Sequence, residues 1–141
     1  MHRGIYTPNY GAELSARALA ELAHEAEVAG WDGFFIWDHI HVSRSLRLPV
    51  LDPWVALAAM AMTTQSIRIG ATLTPLARRR PWKLARETVT LDHLSQGRRI
   101  LTVGLGHPPD AEFAHFGADP DPQVRAAKLD EDLDILSPFG R

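Results

Sequence analysis

The pentapeptide Trp37-Asp38-His39-Ile40-His41 follows an apolar run and places a carboxylate and two imidazoles at its end. An imidazole titrates near neutral pH, so His39 is a candidate group for giving or taking a proton. Asp38 beside it is placed to orient that ring or to raise its affinity for a proton. The alternate spacing of His39 and His41 also lets both rings face one way, as two metal ligands would. A catalytic metal needs a third ligand, His107 or His115, whose geometry nothing in the spacing fixes, and no metal is expected. The plain alternative is a histidine that satisfies backbone groups at a strand end. A second apolar run ends in Gly104-Leu105-Gly106. Lacking a Cβ, such backbone can approach a flat ring closely, or simply turn tightly. It is not a dinucleotide fingerprint, because the third glycine and the following helix start are missing. Arg78-Arg79-Arg80 with Trp82 and Lys83 interleaves basic and aromatic groups, as single-stranded nucleic-acid sites do. Three arginines ahead of a helix more often form a solvated turn, so no nucleic-acid partner is expected.

Four strand–helix units must position these residues. The first strand is read at about Gly4–Asn9, followed by a helix from a Ser15 cap to Gly30 with Leu19, Leu22, Ala23 and Ala26 facing inward. The second strand, Gly33–Asp38, is almost wholly apolar, as burial on both faces requires. A loop over His39–Leu51, carrying Arg44 and Arg47, leads to an Asp52 cap, Pro53 and a helix to about Thr64 that is apolar nearly all round. The third strand, Ile67–Leu73, ends at Thr74-Pro75. Pro81 starts the next helix, where Leu84, Thr88, Leu91 and Leu94 recur at helical spacing until Gly97 stops it. Ile100–Val103 is the fourth strand, and Asp121-Pro122 opens a last helix over Gln123–Leu136. Alternating β and α elements imply a parallel sheet with right-handed crossovers.

Three stretches carry a family resemblance: RGIYTPNYG (Arg3–Gly11), AELAHEAEVAGWDGFFIWDHI (Ala20–Ile40), and the segment Ile67–Gly106 with its helix ARETVTLDHLSQGR. In this order they resemble the luciferase-like monooxygenases, bacterial-luciferase-type oxidoreductases that use FMN or coenzyme F420. The resemblance runs from about Arg3 to Leu136 and implies an α/β fold, the (β/α)₈ TIM barrel, which typically takes about 250 residues. About four β/α units are present, expected as one domain over residues 1–141. The resemblance places His39 beside the flavin or deazaflavin ring, with Asp38 next to it, and Gly104 and Gly106 where the fourth strand passes the ring's reactive edge. It also implies a strained non-proline cis peptide near Thr72-Leu73. Asn9, Thr72 and Thr74 join them at the carboxyl-terminal face, where barrel enzymes hold their ligands.

FMN is the marginally preferred cofactor, supplied reduced by a reductase, with F420 the alternative and a small organic molecule the substrate. The helices at Pro53–Thr64 and from Pro81 are expected to make a homo-oligomer interface. Ser137–Arg141 (SPFGR) departs from the family pattern, and a chain of four units is expected to be inactive by itself. The rivals are a non-catalytic half-barrel serving as an interaction subunit and, more remotely, a His-x-His metal-dependent hydrolase.

Bulk properties narrow the field further. The chain has 141 residues, net charge −2 and 45% hydrophobic content, all ordinary for a soluble globular protein. Nothing in that charge draws it to nucleic acid or an anionic membrane. The absence of cysteine rules out disulfides, thiolate metal sites and a cysteine nucleophile. With no visible secretory signal and no apolar run near the roughly 20 residues of a span, a cytoplasmic location is expected. Charge is segregated: Gln65–Ile100 carries eight Lys/Arg against two Asp/Glu, and Asp110–Asp134 eight acidic against two basic. The bland expectation is two helix faces attracting each other or a partner subunit.

Overall fold

The structure is a computed structural model that describes residues 1–43, 45 and 47–139, leaving Arg44, Gly140 and Arg141 among those outside it. In chain order it comprises β1 (Gly4–Thr7), α1 (Ala16–Val28), β2 (Gly33–Ile36), α2 (Pro53–Thr63), β3 (Arg68–Ala71) and β4 (Thr74–Pro75). These are followed by α3 (Pro81–Leu94), β5 (Arg99–Ile100), β6 (Val103–Gly104), α4 (Pro109–Glu112) and α5 (Pro122–Leu136). The helices start where the sequence supplies an acceptor or a proline. Ser15 accepts from the Ala18 amide at 3.1 Å, and Asp52 accepts from Trp54 and Val55 at 2.9 and 3.0 Å. Pro53, Pro81 and Pro122 each open a helix, where their missing N–H costs nothing. The left-handed pair Gln96 and Gly97 (φ 55° and 80°) ends α3.

All strands run parallel in the order β1–β2–β3–β5, and β4 pairs with β6 as the continuation of β3 and β5. Gly70 pairs with Ile100 and Thr74 with Val103, so the third strand advances four residues while the fourth advances three. The extra residue makes a bulge at Thr72-Leu73, bending the strand as it reaches the carboxyl-terminal edge. Thr72 makes the last ladder contact with β2, donating both its amide and its hydroxyl to the Ile36 carbonyl at 2.8 and 3.2 Å. This corrects one expectation: the cis bond among the described residues is His107-Pro108, and a bulge stands at Thr72-Leu73 instead.

Ile5, Phe34, Ile36 and Ile69 point to the helical layer, where Leu19, Leu57, Met60, Leu84 and Leu91 close the core. The inward stripe of α1 is Leu19, Ala20, Ala23 and Ala26, while Leu22, expected there, is 43% exposed. The stripe runs through Ala20 instead, on the side where α1 meets α2 and Thr63 donates its hydroxyl to the Ala20 carbonyl at 3.0 Å. Leu94 likewise falls outside the core. On the opposite face of the sheet, register sets Tyr6, Phe35, Gly70 and Ile100 in one row, with Tyr6 65% exposed. No helix among the described residues is long and apolar enough to cross a membrane.

Two side chains pin the turn from α2 into β3. Arg98 reaches the last carbonyls of α2, donating to Ala61, Thr64 and Ile67 oxygens at 3.0–3.1 Å and to the Thr64 hydroxyl at 2.7 Å. Glu27, at the end of α1, accepts the amides of Gln65, Ser66 and Ile67 and the Ser66 hydroxyl. Partial burial alone would raise the Glu27 carboxyl, but those donors outweigh it and lower the group from 4.5 to about 2. A depressed carboxyl stabilises fully above its unfolded value and loses that effect as pH falls through the folded one. Glu27→Gln is therefore expected to cost about 1–2 kcal/mol at pH 7, allowing for solvent screening. Urea unfolding at pH 7 and at pH 2 checks this, and the gap between wild type and variant should shrink at the lower pH.

Candidate active site

Because every strand is parallel, the carboxyl ends of all four units share one edge, and most of the sequence-predicted residues meet there. A cleft of about 650 Å³ opens at this edge, lined by Tyr10, Trp37, Asp38, His39, Thr72, Leu73, Leu105, Gly106 and His107 among others. Asn9 and Gly104 lie behind its wall. Asn9 is fully buried and its amide is engaged on backbone, donating to the His39 and Leu51 carbonyls at 2.9 and 2.7 Å and accepting from the His39 amide at 3.2 Å. It clasps the loop after β2 to the end of β1. The space that a Cβ on Gly104 would need is filled by Leu73, whose Cδ1 would lie 2.5 Å away. Gly106 is left-handed (φ 80°) and packs on Pro75 and Phe113, so only glycine meets both demands there.

The ring of His39 sits among aromatic neighbours, with centroids 5.6 Å from Trp37 and 5.9 Å from Tyr10. Its orientation is fixed by a residue that sequence reasoning passed over. Glu112, 1% exposed, lies 3.0 Å from His39 Nδ1 and accepts the amides of Ile40 and His41 at 3.2 and 3.1 Å. Burial works to raise the Glu112 carboxyl, but the His39 hydrogen bond, the two amides and Arg78 together hold it below its ordinary value. An ionised carboxylate can only accept, so Nδ1 carries a proton toward Glu112, and Nε2 is the ring nitrogen that Glu112 leaves unengaged. The sequence signal was slight: an acidic residue in the loop after a strand end, read only as part of an acidic excess.

Asp38 does not serve His39. Its side chain is fully buried and lies 2.8 Å from Arg78 Nη2 and 2.7 Å from Arg79 Nη2, while Arg78 also donates to the Asp38 carbonyl. Arg78 Nε lies 3.3 Å from Glu112 Oε2, so one guanidinium joins both acids. Two of the three arginines of the basic loop are thus internal, and Arg80 stacks over Trp82 at 5.8 Å. Arg125 holds the far wall, donating to the Leu105 and Gly106 carbonyls at 2.9 Å and stacking 4.9 Å over Phe113. His41 packs on His115 with centroids 5.9 Å apart, and no group of three or more His, Cys, Asp or Glu among the described residues is placed to hold a metal ion.

The sequence profile described as luciferase-like monooxygenase matches residues 1–138. The chain belongs to this family. Among curated luciferase-like relatives, it is 35% identical to F420-dependent glucose-6-phosphate dehydrogenase of Nakamurella multipartita over 84% of the chain and 35% of that protein. It is 33% identical to limonene 1,2-monooxygenase of Rhodococcus erythropolis over 82% of the chain and 28% of that protein. The oxygenating constituent of 3,6-diketocamphane monooxygenase from Pseudomonas putida, solved with FMN, superposes with a TM-score of 0.80 at 25% identity, covering 96% of this chain and 38% of that one. The chain spans about half or less of the length of the curated relatives it matches, 47% at the first of them. Its fold is accordingly four consecutive β/α units of the luciferase-like TIM barrel. At this edge, Asn9→Ala would strip three partners from buried backbone and is expected to cost roughly 2–4 kcal/mol. A thermal melt checks the loss, and faster amide exchange should appear at His39 and Leu51 before the rest of the sheet.

Proposed function

We propose that these four units form the ring-binding face and proton-transfer site of an oxidoreductase that works with coenzyme F420 on a small organic substrate bearing a hydroxyl. One observation carries this reading: buried Glu112 holds His39 by Nδ1 and leaves Nε2 as a base at an apolar cleft. Oxidising an alcohol requires such a base, because the hydroxyl proton must leave as the carbon gives up hydride. The cleft suits a flat ring in size, falling within the usual 300–1,000 Å³ of small-molecule sites, and in lining, with Trp37, Leu73 and Leu105 against a few polar groups. When bound, F420 supplies the hydride acceptor. His39 takes the proton at Nε2, Glu112 stabilises the imidazolium that results, and the aromatic and aliphatic walls keep water from competing. The 35% identity to a protein named as an F420-dependent dehydrogenase supports the same choice.

A second reading keeps the FMN preference of the bare sequence. The relatives named limonene 1,2-monooxygenase and 3,6-diketocamphane monooxygenase, the latter solved with FMN, favour oxygen insertion with reduced FMN delivered by a reductase. In that case His39 serves as a donor to the developing oxyanion or leaving group rather than as a base. In either reading a homo-oligomer is proposed through α2 and α3, where Trp54, Val55, Ala58, Leu91 and Leu94 line an apolar groove and Val55 is 67% exposed.

A titration of the ¹⁵N-labelled chain with F420 and with FMN separates the two. The phosphate site of a β/α barrel usually comes from loops after strands seven and eight, so ring contacts alone should give binding of about millimolar strength. The expected shifts centre on Trp37, His39, Leu73 and Gly106, are larger for F420, and disappear in His39→Asn without loss of fold. Larger shifts with FMN would favour the monooxygenase, and shifts confined to Arg80–Lys83 would refute a ring site at this cleft. No turnover is expected from this chain assayed by itself.

A further inference from the structure

The base proposed above stands in an unusual electrostatic setting, because two buried carboxylates lie within one contact of it. Counting charges settles what each must do. Asp38 and Glu112 have side chains 0% and 1% exposed, and together bring two negative charges to the loop after β2. Left uncompensated, that charge would draw a proton onto the nearest group able to take one, which is the His39 ring 3.0 Å from Glu112. Such a ring would be an imidazolium before substrate arrived, with no lone pair on Nε2. Arg78, 4% exposed, and Arg79, 16% exposed, bring two positive charges to the same cluster. Arg78 touches both acids and Arg79 touches Asp38.

The geometry points to Arg78 and Arg79 as positioning residues whose charges offset Asp38 and Glu112 and so leave His39 neutral, with Nε2 free to accept a proton. The inference rests on the proposed role of His39 as a base. The remaining neighbours do not alter the count. Tyr10 and Trp37 meet the ring from the segments after β1 and β2 and carry no charge, and His107 on the opposite wall of the cleft and His41 after Ile40 are further imidazoles. Asp52 and Glu87 line the adjoining cleft against Arg80 and Lys83, two charges of each sign, and Glu131 and Asp132 with Lys128 lie beyond Glu112 on the far side of the arginines. An arginine is suited to this work and a lysine less so, because a planar fork can span two carboxylates and never gives up its proton.

The test reads the protonation of His39 directly, by ¹⁵N NMR of the ring nitrogens in ¹⁵N-histidine-labelled chain at pH 7. Wild type is expected to show a neutral ring with its proton on Nδ1. Arg78→Gln removes one positive charge and should raise the proportion of imidazolium roughly tenfold or more. Arg78→Lys, which keeps the charge, should restore most of the neutral ring. Arg79→Gln removes the same charge without touching Glu112; it should act in the same direction and serves if Arg78→Gln does not fold. Glu112→Ala removes the acceptor altogether and should leave a neutral ring whose proton is no longer confined to Nδ1. A ring that stays neutral in both arginine-to-glutamine variants, or a lysine variant that behaves like glutamine, overturns the inference while leaving His39 paired with Glu112. If Glu112→Ala leaves the tautomer unchanged, the pairing itself fails, and the proposed base with it.

Discussion

A carboxylate buried to 1% exposure is stable only if donors surround it, and Glu112 draws those donors from two distant parts of the chain. The Ile40 and His41 amides and the His39 ring come from the loop after β2, and Arg78 from the turn before α3. Glu112 itself closes α4, after the fourth strand. One residue therefore ties the carboxyl ends of three β/α units together. Removing it would leave the Arg78 guanidinium with Asp38 alone and take the acceptor from a ring nitrogen and two amides. The shape of the cleft follows from that constraint, together with Asn9 and the arginines on Asp38, which hold the same loop at its start.

This explains which parts were legible in the sequence. The helix starts at Ser15, Asp52, Pro81 and Asp121-Pro122 were plain, because capping and proline chemistry are local and leave local marks. The parallel sheet was legible for the same reason: apolar strands alternated with periodic helices, and the topology then had few choices. His39 could be placed at a strand end and given an acid–base role on residue type alone. The partner of His39 could not be read, since Asp38 is adjacent and Glu112 is 73 residues away. Adjacency in sequence misled here because consecutive residues leaving a strand point in different directions, so Asp38 reached the arginines while His39 reached the cleft.

The same logic governs the details that differed. A bulge rather than a cis peptide turns the chain at Thr72-Leu73, and bulges depend on a register between two strands that single-strand patterning does not contain. Leu22 was expected inward on periodicity, but the face that α1 turns to α2 runs through Ala20 instead. The three arginines at 78–80 read as a solvated turn, yet two of them neutralise buried acids that come from other elements. In each case local propensity was right about the element and silent about its neighbour. The charge segregation along the chain has the same resolution in part, since Arg78 of the basic segment meets Glu112 of the acidic one.

The central claim is that the edge shared by His39, Leu73 and Gly106 is a site for a flat redox ring, with His39 poised over it by Glu112. A crystal structure of the chain soaked with F420 tests this most directly. The account predicts the deazaflavin ring against Trp37 and Leu73, with His39 Nε2 facing the ring edge and Nδ1 still on Glu112. A ring bound on the Arg80–Lys83 side, or a His39 that leaves Glu112 and turns out of the cleft when the ring binds, would contradict it.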